Sequence, residues 1–196
     1  GWDIAAKLAD SSPTWDQLVE RSVQIDAFVS ADASYGELMD RYGHDTGNEK
    51  QNEALHGQGV TLIAESQFNA LAELTGRPTV DVGEDGYAVN NTLDAMKALS
   101  EAVSREGETL EAGGRTLTAT GELRSQPLED AAFSASGAEF IVPDSVIADL
   151  RAQGAVPDQS LLNLMYKTSR TEGDKLLQQM LGEASPANPE VAASGW

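Results

Sequence analysis

The chain has 196 residues, of which 13 are Lys or Arg and 32 are Asp or Glu, a formal net charge of −19. An excess of that sign repels phosphate backbones and anionic lipid, which excludes a nucleic-acid partner held by non-specific electrostatics and favours a cationic one. Hydrophobic residues make up 40%, enough to build a core, and the absence of cysteine excludes disulfide scaffolds, thiolate metal sites and cysteine nucleophiles.

Ser12 and Pro13 read as an N-cap and a first helical proline, opening a short helix through Trp15, Leu18 and Val19. In Val23–Ser30 the apolar Val23, Ile25, Ala27 and Val29 alternate with Gln24, Asp26 and Phe28, which predicts a strand. Tyr35, Leu38, Met39 and Tyr42 have helical spacing. Residues 43–59 are polar and carry four glycines, and they read as a mobile excursion. Val60–Ala64 is a compact strand. Ser66 is placed to cap a helix carrying Phe68, Leu71, Ala72 and Leu74, closed by Gly76.

Val80–Val82 and Gly86–Val89 flank the acidic turn Gly83-Glu84-Asp85. Leu93, Met96, Leu99 and Val103 line one face of a helix from Thr92 to near Gly107. Gly113-Gly114 between Leu110 and Leu117 signals a hairpin. Ala138–Val142 is a strand followed by a helix from Pro143-Asp144 through Val146, Ile147 and Leu150. Residues 161–168 form a strand, and Thr171 starts a helix with Leu176, Leu177, Met180 and Leu181. The fold class expected is α+β, mixed sheets with helices packed on one face, in one or two lobes. The boundaries expected are a variable part at 1–59, an α/β core at 60–182 and a linker at 183–196. No apolar run reaches the ~18 residues of a membrane span. With Gly1 in place of Met and a Pro/Ala/Ser-rich stretch before Trp196, the chain reads as a piece of a longer protein.

Few residues carry a chemical motif. His44 and His56 are the only histidines, both in the polar stretch, with Asp45, Glu49 and Glu53 nearby; a solvated loop explains them better than a metal site. No Gly-x-Ser-x-Gly elbow holds a serine nucleophile. Gly57-Gln58-Gly59 precedes a strand, whereas a dinucleotide fingerprint follows one. No phosphate-binding Gly-Lys loop occurs, and residues 81–86 lack the ligand spacing of a calcium loop. No catalytic residue, metal ligand or cofactor-binding residue is therefore assigned.

The segment Val60–Asn69, followed by Leu71, Leu74, Gly76-Arg77-Pro78, Val80 and Tyr87, resembles the extracellular domain of FtsX/MacB-type ABC transporter permeases, in particular the long permeases of Gram-positive bacteria. The motif positions are Ser66, Phe68, Asn69, Pro78 and Tyr87, then Pro143 and Asp144 at a later strand-to-helix step, with Asn163–Lys167 beyond. The resemblance spans roughly residues 58–168 and departs at Gln67, Phe68 and Gly86, where the family carries an acid, a tyrosine and an acid.

That resemblance implies a non-catalytic domain on the extracellular side of the cell membrane. It would recognise a substrate or a partner protein and transmit motion driven by a cytoplasmic ATPase. Its partners would be the rest of the permease, that ATPase, and a cationic peptide, a lipid-like substrate or an extracellular protein. A loop domain of this kind returns the chain to the membrane it left, so its two ends belong on one side, with Trp2 and Trp196 at the interface. Two rivals are a free-standing secreted binding protein and a hydrolase with an unrecognised site.

Overall fold

The computed structural model of the chain describes residues 3–11, 14–43, 47–90, 103, 105, 107–124, 139–183 and 190–194. The organising element is strand β1, Val19–Ser34, whose middle, Ile25–Phe28, is buried on both sides of the sheet. It pairs antiparallel with β2 (Gly59–Ala64) along its second half and with β7 (Gln159–Tyr166) along its first. The remaining strands are β3 (Gly86–Asn90), β4 (Thr109–Ala112), β5 (Arg115–Arg124), β6 (Glu139–Val142) and β8 (Glu190–Ser194). All eight form one sheet in the order β4-β5-β3-β6-β2-β1-β7-β8. The pairs β2/β6, β3/β5 and β7/β8 are parallel and the others antiparallel, so the fold is α+β on a mixed sheet.

Register decides the two faces. Phe28, Leu62, Phe140 and Val89 stand side by side across four strands, and Ala27, Ile63, Ile141 and Ala88 form the row behind them. Helices α3 (Tyr35–Arg41), α4 (Glu49–His56) and α6 (Asp144–Ala152) cover the first row, with Tyr35, Leu38, Met39, Leu55, Val146 and Ile147 in one apolar cluster. On the same face a second cluster joins Leu162, Leu164 and Tyr166 to α1 (Ile4–Ser11), α2 (Trp15–Leu18) and α7 (Arg170–Glu183). Helix α7 approaches closely because Gly173 lies on the Tyr166 ring, where a Cβ would meet ring carbons at 2.2 Å. The opposite face belongs to α5 (Glu65–Leu74), which buries Phe68, Leu71, Ala72 and Leu74.

Several local expectations give way to tertiary structure. Within 43–59, the helix α4 is capped by Asn48, whose side chain accepts the Gln51 N–H at 3.1 Å. Strand β1, in the 1–59 part, pairs with both β2 and β7, in the 60–182 part. Within 183–196, β8 adds a parallel strand beside β7. Val80 and Val82, before the acidic turn, are buried in a cluster with Phe68 and Ala72, and their N–H groups donate to Asn69 and Glu65 of α5. The final helix is capped by Ser169, whose hydroxyl accepts the Glu172 N–H at 3.3 Å. The hairpin at Gly113-Gly114 forms as expected, both glycines having positive φ. Ser12, Pro13, Trp2, Trp196 and most of the Thr92–Gly107 helix lie outside the described residues; Val103, which is described, is buried in the first cluster.

Candidate functional site

Of the seven positions that carry the resemblance, Ser66, Pro143 and Asp144 form a structural joint, Phe68 and Tyr87 are core, Asn69 holds a neighbouring segment and Pro78 is exposed. Helix α5 starts directly from β2 with Ala64 as its N-cap and no side-chain cap of its own. Ser66 is therefore not the cap. Its backbone N–H donates instead to Asp144 Oδ1 at 3.0 Å, so a carboxylate at the start of α6 satisfies one of the free N–H groups of α5. Pro143, buried, holds that turn as the N-cap residue of α6. Asn69 acts as a piece of strand: its Nδ2 donates to the Val80 carbonyl and its Oδ1 accepts the Val80 N–H, both at 2.8 Å. Glu65 Oε2 takes the Val82 N–H at 2.6 Å. Phe68 is core on the α5 face and Tyr87 is core on the other; Pro78 is exposed. The Tyr87 ring lies 5.9 Å from that of Phe140 and its hydroxyl donates to the Val103 carbonyl. Burial pushes that hydroxyl well above the ordinary tyrosine range.

A different set of residues forms a polar centre. Asp26, in β1, is only 4% exposed, and lies between the two apolar clusters of the first face. Its Oδ1 accepts from Gln24 Nε2 at 2.8 Å and from Ser160 Oγ at 2.6 Å. Its Oδ2 accepts from Gln67 Nε2 at 3.0 Å and Arg151 Nη2 at 3.1 Å. Gln67 also accepts the Asp26 N–H at 2.8 Å, closing the backbone edge where β2 has ended. A carboxylate at position 67 would meet Asp26 instead of donating to it, which explains the amide here. The Arg151 guanidinium lies 5.0 Å from the centre of the Phe28 ring, a cation–π distance.

Above this centre opens a cleft of about 450 Å³, within the size range of small-molecule sites. Asp3, Ser22, Gln24, Asp26, Gln67 and Arg151 give it polar walls, with Ala5 and Leu162 as the apolar ones. The start of α1 is tied down here, since the Ile4 N–H donates to Gln24 Oε1 at 2.8 Å. The cleft can therefore present a guanidinium, a hydroxyl and a rim carboxylate to a ligand.

His56 lies far from the cleft, on α4. Its Nε2 is 2.8 Å from Asp40 Oδ2 and its Nδ1 is 2.8 Å from the Asn52 carbonyl. Both neighbours are acceptors, so only the imidazolium satisfies both, and the hydrogen bond to Asn52 followed by that to Asp40 raises its pKa. His44 and Asp45 lie outside the described residues; Glu49 and Glu53 are exposed on α4. Among the described residues no three His, Asp or Glu side chains are grouped to hold a metal.

Sequence reasoning passed over Asp26, Gln67 and Arg151 as site residues. The alternation in β1 set Gln24, Asp26 and Phe28 opposite the apolar Val23, Ile25, Ala27 and Val29 and was used only to predict a strand. The signal left unused was Phe28, a large apolar residue in the polar register, which marks a strand buried on both sides.

The fold is α+β, and it carries a polar cleft. No family model matches the chain, and no curated protein or solved structure does.

Proposed function

We propose that the chain is an extracellular, non-catalytic domain of an ABC transporter permease of the FtsX/MacB type. It recognises a substrate or partner protein and passes on motion driven by a cytoplasmic ATPase. The supporting sequence observation is the ordered motif set from Ser66 to Asp144. The structural observation that carries the reading is where the two outer elements lie. Helix α1 begins at Gln24 of β1, and β8 finishes at Ser194 beside Met165, whose partner in β1 is Arg21. Gln24 and Arg21 are separated by about 10 Å along the strand, and β8 lies two strands, about 10 Å, to the side of β1. An inserted domain whose flanking helices share one bilayer needs that geometry. The Ser66–Asp144 joint supports the same reading, because it couples the starts of the two helices that lie on opposite faces of the sheet.

The test is the coding sequence around the chain, followed by purification of the encoded protein from membranes. The expected result is an apolar segment of ~20 residues adjoining each end and co-purification with an ATPase subunit. Flanks without such segments overturn the proposal. A signal peptide upstream with no span downstream would instead establish the secreted binding protein.

A further inference from the structure

We propose that the Asp26–Arg151 cleft binds a small zwitterion of the amino-acid or dipeptide class, its carboxylate on Arg151 and its ammonium group on Asp3. The inference goes beyond the permease reading and does not depend on it.

Arg151 provides the anchor. Among the described residues its side-chain contacts are one hydrogen bond to Asp26 and the face of Phe28, which leaves most of a five-donor fork for a ligand of the cleft that Arg151 lines. Its side chain is 43% exposed, so a ligand reaches it, while Asp26 and Phe28 fix its plane. A fixed, planar guanidinium is the side chain best matched to a carboxylate, which it grips with two parallel hydrogen bonds. Ser22, on the same face of β1 as Gln24 and Asp26, adds a hydroxyl to the cleft wall about 13 Å along the strand from Asp26.

Charge selects the rest of the ligand. Asp26 and Arg151 cancel as a pair, and the whole chain carries −19, so a simple anion enters against the field. A ligand whose carboxylate is accompanied by a positive group does not incur that penalty. Asp3 stands at the rim to meet it: its Oδ1 accepts the Ala6 N–H at 3.0 Å as the first-turn cap of α1, and its second oxygen remains for the ligand. Asp26 does not compete for the ammonium group, because its two oxygens are already occupied by four donors.

Stability alone does not call for this centre. A buried ion pair is commonly neutral or unfavourable relative to an apolar pair of the same volume. Apolar clusters lie on either side of it, so an apolar filling would have joined them.

The experiment is a nuclear magnetic resonance titration of the isotope-labelled 196-residue chain with three probes: glycylglycine, acetate and ethylammonium. Up to ~10 mM probe, glycylglycine is expected to cause saturable shifts at Ser22, Gln24 and the Arg151 side chain, with acetate weaker and ethylammonium weaker still. Asp3→Asn keeps the cap acceptor and removes the charge, and is expected to weaken glycylglycine about two- to fivefold while leaving acetate no weaker. Arg151→Lys is expected to weaken glycylglycine about tenfold, because the fork is lost. Should Arg151→Lys fail to fold, Asp3→Asn and Ser22→Ala, both at exposed positions, decide the matter. No saturable shift at these residues overturns the proposal. So does ethylammonium binding as well as glycylglycine, or acetate binding as well as glycylglycine with Asp3→Asn having no effect.

Discussion

The two halves of the sheet's first face are built on different physics. Around Phe140 the packing is aromatic and apolar, with Tyr35 and Tyr87 at ring distances of 6.2 and 5.9 Å. Around Asp26, two strands away, the same face is held by five directional contacts on a buried carboxylate and its own N–H. Apolar contact is non-directional and rewards filled volume, so the first half fixes how tightly the layers pack. Hydrogen bonds to a buried charge have one good geometry, so the second half fixes which elements meet: β1, α5, α6 and β7 each send one partner to a single point. The contrast suggests that the first half carries stability and the second carries specificity.

The sharpest way to break the comparison is in the apolar half. Phe140→Ala should cost about 3–5 kcal/mol, since the ring is 1% exposed and two tyrosines cannot close on its cavity. Urea unfolding measures it; a loss below about 1 kcal/mol would mean that the aromatic cluster is not the stabilising half.

The polar half should respond differently. Arg151→Met leaves Asp26 charged among neutral donors and should cost about 2 kcal/mol, a value reduced because Arg151 is half-exposed. The double variant Asp26→Leu with Arg151→Met should recover at least half of that loss in the same unfolding experiment. A double variant no better than the single one would show that the centre is needed for stability after all.

A smaller effect is expected at Asn69, which holds Val80 by two hydrogen bonds. Asn69→Ala should cost about 1–2 kcal/mol, because both backbone groups of a buried residue lose their partner. Faster amide exchange at Val80 and Val82, with the Phe140 region unchanged, is the signature to look for.

The smallest effect belongs to His56. Its pKa in the folded chain is raised, so its contribution is fully present below the unfolded value near 6.5 and is lost as pH rises through the higher folded value. The difference in melting temperature between the wild type and His56→Gln should therefore be greatest on the acid side and vanish as the solution becomes alkaline. A difference that grows with pH would contradict the protonated bridge between Asp40 and Asn52.

Much of the fold was legible in the chain, but unevenly. Helix α5 showed in the spacing of Phe68, Leu71, Ala72 and Leu74, and the hairpin in Gly113-Gly114, because local periodicity and positive φ are written in neighbouring residues. Strand β1 was read at half its length. Its first flank carries polar residues, Arg21 and Ser22, that pair with Met165 and Leu164 by backbone, and backbone pairing does not depend on side-chain hydropathy. Helix α4 was missed because its single buried residue is Leu55, too little for an amphipathic stripe. Ser66 has the composition of a cap, but the N-cap is Ala64, two residues earlier, and a carboxylate for the Ser66 N–H came from Asp144, 78 positions away.

By itself the sequence determined the class of the fold, since alternating strand and helix periods and a sufficient apolar fraction leave little else for a chain of this composition. It also determined the sign of the surface charge and the exclusion of cysteine chemistry. Only the tertiary structure decided that Asp26 would be buried, that Gln24, Gln67, Arg151 and Ser160 would converge on it, and that a cleft would open above them. Gln67 and Ser160 reach Asp26 from 41 and 134 positions away, and Arg151 from 125. Strand order and register bring these groups together, and both are settled by which apolar rows match across the whole sheet, a condition no local stretch of residues contains.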